Sequence, residues 1–372
     1  MSNFIRLNIT FSLFLFLNLN AQDNNSTVLP IEFTIDNYID SIATVYLKNP
    51  HNAGIVIGVI NNGSEPQYYC YGEVKKGIGV RPDENTIFKL GSIGKTFTAL
   101  ILAYLNGNGT INLYNPAQNY LPNNVTLPVW KNKQSLNRYI TLEDLATHFS
   151  SLPRTPSNRV KPPGYTVELM YDFLNKYKLK FEPGSKFLYS NLAFGLLGNI
   201  LSIAGKDTYI NLEKKLFLNK FNMINTGTEL NTVQINRLAY SYSKGRESQF
   251  NLPTSPAFLG AGGNFSSLAD MMIYLKYNLG MLETDLNNLL DTLHRPRKNT
   301  GLKFLKYMGL GWQISDFYKP DDASLIWKDG ATNGFSIYIG FVKNTKSGVV
   351  ILSNSSSNVS NTGLKILRKL IN

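Results

Sequence analysis

An unbroken apolar run, Gly54-Ile55-Val56-Ile57-Gly58-Val59-Ile60, precedes Asn61-Asn62-Gly63 and the aromatic-rich segment Gln67-Tyr68-Tyr69-Cys70-Tyr71-Gly72. Short apolar runs separated by Asn and Gly predict two strands joined by a hairpin turn. Residues 96–105, after Thr86-Ile87-Phe88-Lys89-Leu90-Gly91, contain no Gly or Pro and are apolar nearly all round, with Gly107 and Gly109 beyond them. That pattern predicts a helix buried at the centre of the protein. From about 110 to 320, helical stretches alternate with loops rich in Pro, Asn and Ser, and the clearest helices are expected over 192–204 and 268–279. The second follows Ser267-Leu268-Ala269-Asp270, which has the form of a capping box. Strands are expected again over 324–327, 335–342 and 348–354, closed by a helix over 361–370. Strands at both ends with helices between them predict an α/β fold of the α+β type. Its antiparallel sheet is assembled from about 45–90 and 305–372 and flanked by helices, with a mainly helical region inserted over about 92–300.

The first residues depart from this pattern. Arg6, the apolar run Phe11-Ser12-Leu13-Phe14-Leu15-Phe16-Leu17, and Leu19-Asn20-Ala21 read as a secretory signal over residues 1–21, with the folded domain over 22–372. The apolar core is well short of the roughly 20 residues a membrane span needs, so no stable membrane span is expected. Cys70 is the one cysteine of the chain, so an exported protein must rely on its core without an internal disulfide. The net charge of +12 suits anionic surroundings such as a bacterial envelope, and the expected location is the periplasm. No compact Lys/Arg block is interleaved with aromatics, so no nucleic-acid partner is expected.

The three histidines, His51, His148 and His294, form no zinc-ligand pair, and no Gly-x-Ser-x-Gly elbow occurs. Hydrolytic chemistry would therefore need a base other than histidine. Ser92-Ile93-Gly94-Lys95 supplies one, because residues three apart share a helix face and the Lys95 amine can meet the Ser92 hydroxyl. Ser241-Tyr242-Ser243-Lys244 has the same spacing, but only Ser92 stands between a Gly-containing turn and the long apolar helix. Backbone N–H groups at that helix start favour developing negative charge, and burial disfavours the charged form of lysine. Position also separates Tyr189-Ser190-Asn191 from the other two Tyr-x-Asn matches, because it lies in a turn before the helix at 192–204. Lys328-Asp329-Gly330 stands at the end of one expected strand and before another, with Gly334 expected to admit a ligand. Taken singly, Ser92 reads as a helix cap, Tyr189 as a half-buried aromatic and Lys328 as a solvated edge charge. Together they supply nucleophile, base, phenol and cation in order.

With these motifs in place the chain resembles the serine β-lactamase and penicillin-binding-protein superfamily. Its look is that of the class C branch and of the peptidoglycan DD-carboxypeptidase/endopeptidase relatives. The resemblance also takes in Leu113-Tyr114-Asn115-Pro116, Leu145-Ala146-Thr147-His148 with Leu152-Pro153-Arg154, Gly260-Ala261-Gly262-Gly263 and Gly309-Leu310-Gly311-Trp312, over roughly 35–370. It implies a β-lactamase/DD-peptidase-like fold, an acyl-enzyme on Ser92, and a proton accepted or shared by Lys95. By the same resemblance Tyr189 relays a proton to the leaving nitrogen and later activates water. Asn191 would bind the substrate's amide side chain, Lys328 would hold Tyr189 and the substrate's anionic end, and Ala331, beside Gly330, would lend a backbone N–H to an oxyanion hole.

The middle residue of the third motif is Asp329, where the family commonly has Thr; a carboxylate there repels a substrate carboxylate unless it is turned aside or paired. His148 reads as a structural hydrogen-bonding residue. The leading expectation is a DD-carboxypeptidase or endopeptidase on D-Ala-containing peptidoglycan peptides. A class C-like β-lactamase, a carboxylesterase on the same scaffold and a non-catalytic peptidoglycan-peptide binder are the alternatives. Peptidoglycan peptides or β-lactams are the expected ligands, and no metal or organic cofactor is implied.

Overall fold

The computed structural model describes residues 34–131, 136–158, 160, 164–248, 254–316 and 324–371, and the signal expected at 1–21 lies outside them. Helix α1 (Ile35–Leu47) is followed by strands β1 (Gly54–Ile60), β2 (Gln67–Gly72) and β3 (Ile87–Lys89), then by helix α2 (Gly94–Gly107). Helices α3 (Asn191–Gly205) and α4 (Tyr209–Phe217), strand β4 (Phe265–Ser267) and helix α5 (Leu268–Asn278) belong to the middle of the chain. Strands β5 (Lys298–Asn299), β6 (Tyr307–Met308), β7 (Gln313–Asp316), β8 (Ser324–Ala331), β9 (Ser336–Val342) and β10 (Ser347–Ser353) lead to helix α6 (Ser360–Ile371).

One antiparallel sheet of eight strands runs in the order β2-β1-β10-β9-β8-β7-β6-β5, so strands from both ends of the chain lie side by side. Alternation along β1 divides its side chains between two cores. Ile55, Ile57 and Val59 pack with Ile39 and Ala43 of α1 and with Ile366 and Leu367 of α6. Val56 and Ile60 join the larger core on the other face, with α2, α3 and α5. Because both faces are covered, β1, β9 and β10 are buried at every position, which is why they read as continuous apolar runs. Helix α2 has apolar residues all round because neighbours surround it: Phe97 lies 4.3 Å from Phe217 and 5.0 Å from Tyr274, ring centre to ring centre. Each such side chain contributes about 1.5–3 kcal/mol by leaving water.

Four local expectations are corrected. Strand β3, expected within the main sheet, pairs instead with β4, where it aligns the chain entering Ser92. Strand β8 does not stop at 327: it continues to Ala331, so Lys328-Asp329-Gly330 lies inside the strand, paired with β9. At α5 the capping box is half made, with Ser267 Oγ accepting from Asp270 N–H at 3.2 Å. The Asp270 carboxylate is taken by Asn225 N–H at 2.7 Å and the Thr226 hydroxyl at 2.8 Å, and does not turn back to the cap. Finally, Gly334 gives room to a loop and not to a ligand: a Cβ there would lie 2.7 Å from Ser241 Cβ and from Ser248 Oγ. Among the described residues no helix is long and apolar enough to cross a membrane.

Candidate active site

Gly91 turns the chain with φ of +55° and opens a single 3₁₀ turn, Gly91–Ile93, that runs straight into α2. Ile93, at the cap position of α2, makes no side-chain cap, and Leu90 makes none for the 3₁₀ turn. The Ser92 hydroxyl is thus not consumed in capping. It accepts from Lys95 Nζ at 3.2 Å and from Tyr189 Oη at 2.8 Å. Lys95 is fully buried and also donates to the Ala261 carbonyl oxygen. Burial lowers its pKa, the Tyr189 phenol opposes that shift, and the nearby Lys328 and Arg154 lower it further.

Tyr189 is held from behind by a set of short contacts. Ser190 caps α3 by accepting Ala193 N–H at 2.9 Å while its hydroxyl donates to the Pro153 carbonyl at 2.7 Å. Asn191 and Leu192 donate their N–H groups to the Arg154 carbonyl at 3.0 and 3.3 Å. His148 Nδ1 accepts Ser190 N–H at 3.1 Å, and its ring lies 4.2 Å from the Tyr189 ring. Burial and then the cations Lys328, Lys95 and Arg154 push His148 well below the usual histidine range, so it is a neutral support. For Tyr189, burial raises the phenol's pKa, but Lys328, Lys95 and the Ser92 hydrogen bond outweigh it and bring the value to about 8.

Strand β8 forms the opposite wall. Lys328 is fully buried, donates to Gln313 Oε1 at 3.2 Å, and places Nζ 5.0 Å from the centre of the Tyr189 ring. It is therefore no solvated edge charge. A Cβ on Gly330 would lie 2.1 Å from the Leu90 carbonyl oxygen, and one on Gly91 would lie 2.8 Å from the Ala331 oxygen and 3.0 Å from its nitrogen. Glycine at both places lets β8 lie directly against the Ser92 turn, which brings the backbones of Ser92 and Ala331 together. Strand β7 pairs with β8 only as far as Trp327, so among the described residues 328–331 have no strand partner on that side.

The structure brings Ser92, Lys95, Tyr189 and Lys328 into one cluster, with Gly330 and Ala331 along its wall and Asn191 as the first residue of α3 next to Tyr189. Three participants have no counterpart in the sequence reading: the Ala261 carbonyl, Gln313 and the side chain of Arg154, whose Cζ lies 5.0 Å from the Tyr189 ring centre. Gln313 and Ser315 are polar residues on a strand whose positions 313–315 are buried, and that burial is visible only in the structure.

The family model described as Beta-lactamase matches residues 39–372. The chain is 29% identical to the D-alanyl-D-alanine-carboxypeptidase/endopeptidase AmpH of Escherichia coli strain K12, over 86% of this chain and 82% of that protein. It is 27% identical to a beta-lactamase of Pseudomonas fluorescens, over 86% of this chain and 93% of that protein. Among solved structures, a beta-lactamase/D-alanine carboxypeptidase from Yersinia pestis, complexed with citrate, superposes with a TM-score of 0.78 at 26% identity, covering 91% of this chain and 99% of that one.

Proposed function

The chain belongs to the beta-lactamase family of serine hydrolases, and from that premise we propose that it is an exported DD-carboxypeptidase/endopeptidase acting on D-Ala-containing peptidoglycan peptides. The observation that carries the reading is the Ser92 hydroxyl held between Lys95 Nζ at 3.2 Å and Tyr189 Oη at 2.8 Å. Ser92 Oγ attacks the scissile carbonyl carbon and its proton passes to the Lys95–Tyr189 pair. A lysine whose charged form is disfavoured and a phenol brought to about 8 can exchange one proton near neutral pH. The oxyanion lies against the N–H groups of Ser92 and Ala331. Tyr189 then returns the proton to the leaving nitrogen, the C–N bond breaks, and an acyl-Ser92 ester remains. Water, deprotonated by Tyr189, attacks that ester, and the hydroxyl of Ser92 is restored. Asn191 contacts the acyl side and Lys328 steadies the Tyr189 phenolate across the ring. The expected leader at 1–21 delivers the enzyme to the periplasm, where such peptides lie.

A second reading, hydrolysis of β-lactams, rests on the beta-lactamase relative and uses the same acylation; it differs in how fast water removes the acyl group. Labelling with a fluorescent penicillin, native against Ser92→Ala, tests the shared step: no adduct on the native protein defeats both readings. Release of D-Ala from muropeptides, measured beside the lifetime of the penicilloyl adduct, separates them. A stable adduct with D-Ala release supports the peptidase, and rapid loss of the adduct without D-Ala release supports the β-lactamase.

A further inference from the structure

We propose that Arg154 is a specificity-determining residue that receives a carboxylate on the leaving side of the substrate, a role that rests on the acyl-transfer reading of the same site. Among the described residues three cations surround Tyr189, and they differ in what they can still offer. Lys95 is fully buried and committed to Ser92 and the Ala261 carbonyl. Lys328 is also fully buried; it donates to Gln313 Oε1 at 3.2 Å and lies 3.8 Å from Asp329 Oδ1. Arg154 is exposed, with Cζ 5.0 Å from the centre of the Tyr189 ring, and no carboxylate pairs with it among the described residues.

Its backbone is placed with care. The Arg154 carbonyl takes the N–H groups of Asn191 and Leu192 at 3.0 and 3.3 Å, which ties it to the start of α3 and to Tyr189. The guanidinium, exposed and with Cζ 5.0 Å from the Tyr189 ring centre, is within about one extended residue of the group Tyr189 protonates. A guanidinium binds a carboxylate through two parallel N–H bonds, and its stacking on an aromatic ring pre-orders it for that. Asp329, 3.8 Å from Lys328 Nζ, already pairs loosely with that cation, so the β8 end has less positive charge to offer the same carboxylate. The substrate class that fits is an acyl donor whose leaving group carries a free carboxylate.

The experiment uses an N-acylated D-peptide with a free C-terminal carboxylate and the same peptide amidated there. Binding is measured by calorimetry on Ser92→Ala, with and without Arg154→Gln or Arg154→Lys, and turnover is measured on the corresponding proteins that keep Ser92. The expected result is a preference of about tenfold or more for the acid, lost in Arg154→Gln and partly kept in Arg154→Lys, with affinity for the amide within about twofold throughout. An unchanged acid-to-amide ratio in Arg154→Gln overturns the proposal, as does an equal loss for both peptides, which marks a structural role. Absence of turnover by the native chain with the binding preference intact counts against the peptidase reading alone, and leaves Arg154 as the carboxylate site.

Discussion

Lys328 and Asp329, adjacent on strand β8, face opposite sides of the sheet: Lys328 points to the Tyr189 ring, whereas Asp329 lies on the face of Leu325 and Trp327 and is in register with Tyr338. The Asp329 carboxylate is half-exposed and returns to 3.8 Å from Lys328 Nζ. It is thus turned aside by strand alternation and loosely paired, the two conditions under which a carboxylate at this position leaves the site usable. Asp329→Thr is expected to raise kcat/KM for acidic acyl donors about two- to fivefold, more at low than at high ionic strength, because the charge is partly solvated. Steady-state kinetics at two salt concentrations check this, and a gain independent of salt contradicts the electrostatic account.

Tyr189→Phe keeps the ring packed on His148 and removes the donor to Ser92 Oγ at 2.8 Å. Acylation by a β-lactam is expected to slow about 10²–10⁴-fold with little change in Tm. In the native enzyme the base form of a phenol with pKa about 8 makes the rate rise as pH increases through that value, and the variant should lose this limb. Stopped-flow or mass-spectrometric acylation rates over pH 6–10 provide the measurement.

Gly330→Ala places a methyl group 2.1 Å from the Leu90 carbonyl, a backbone atom that cannot rotate away. Either β8 or the Ser92 turn must shift. Unfolding should be easier by about 1–3 kcal/mol, and acylation should fall by at least about tenfold because Ala331 and Ser92 move apart. Thermal melts and labelling rates read the two effects separately.

Glu213 lies fully buried behind α2, accepting from Asn264 Nδ2 and from Thr228 N–H at 3.0 Å. Burial raises its pKa from 4.5 to about 7 despite those donors. A carboxyl raised on folding contributes stability in full below its unfolded value and loses it as pH climbs to the folded one. Native stability should therefore fall between about pH 4.5 and 7 by roughly 3 kcal/mol relative to Glu213→Gln, and run parallel to the variant above pH 7. Urea unfolding of both proteins across that range tests it; parallel curves throughout would show that Glu213 folds already ionised.

Much of the frame was legible because it depends on neighbours along the chain. Hairpin β1–β2, the all-apolar α2 and α3, and the closing strands announce themselves through runs, turns and caps. The length of β8 was not legible. Its last residues are Lys, Asp, Gly and Ala, poor strand formers, and only pairing with β9 holds them extended. Gln313 and Arg154 were equally silent as site residues, since nothing local distinguishes a polar residue that meets Tyr189 or Lys328 from one that meets water.

By itself the sequence determined the Ser92–Lys95 pair, because three residues of helical chain suffice to set their approach, and it determined the strands and helices whose periodicity is local. Only the tertiary structure decided that Tyr189, 97 positions from Ser92, lies 2.8 Å from it, and that Lys328 is buried beside the phenol while its neighbour Asp329 faces away. The physical reason is the same in each case: burial and opposing charge, which set the proton affinities of the site, come from groups that the packing of β8, α2 and α3 brings together across the chain.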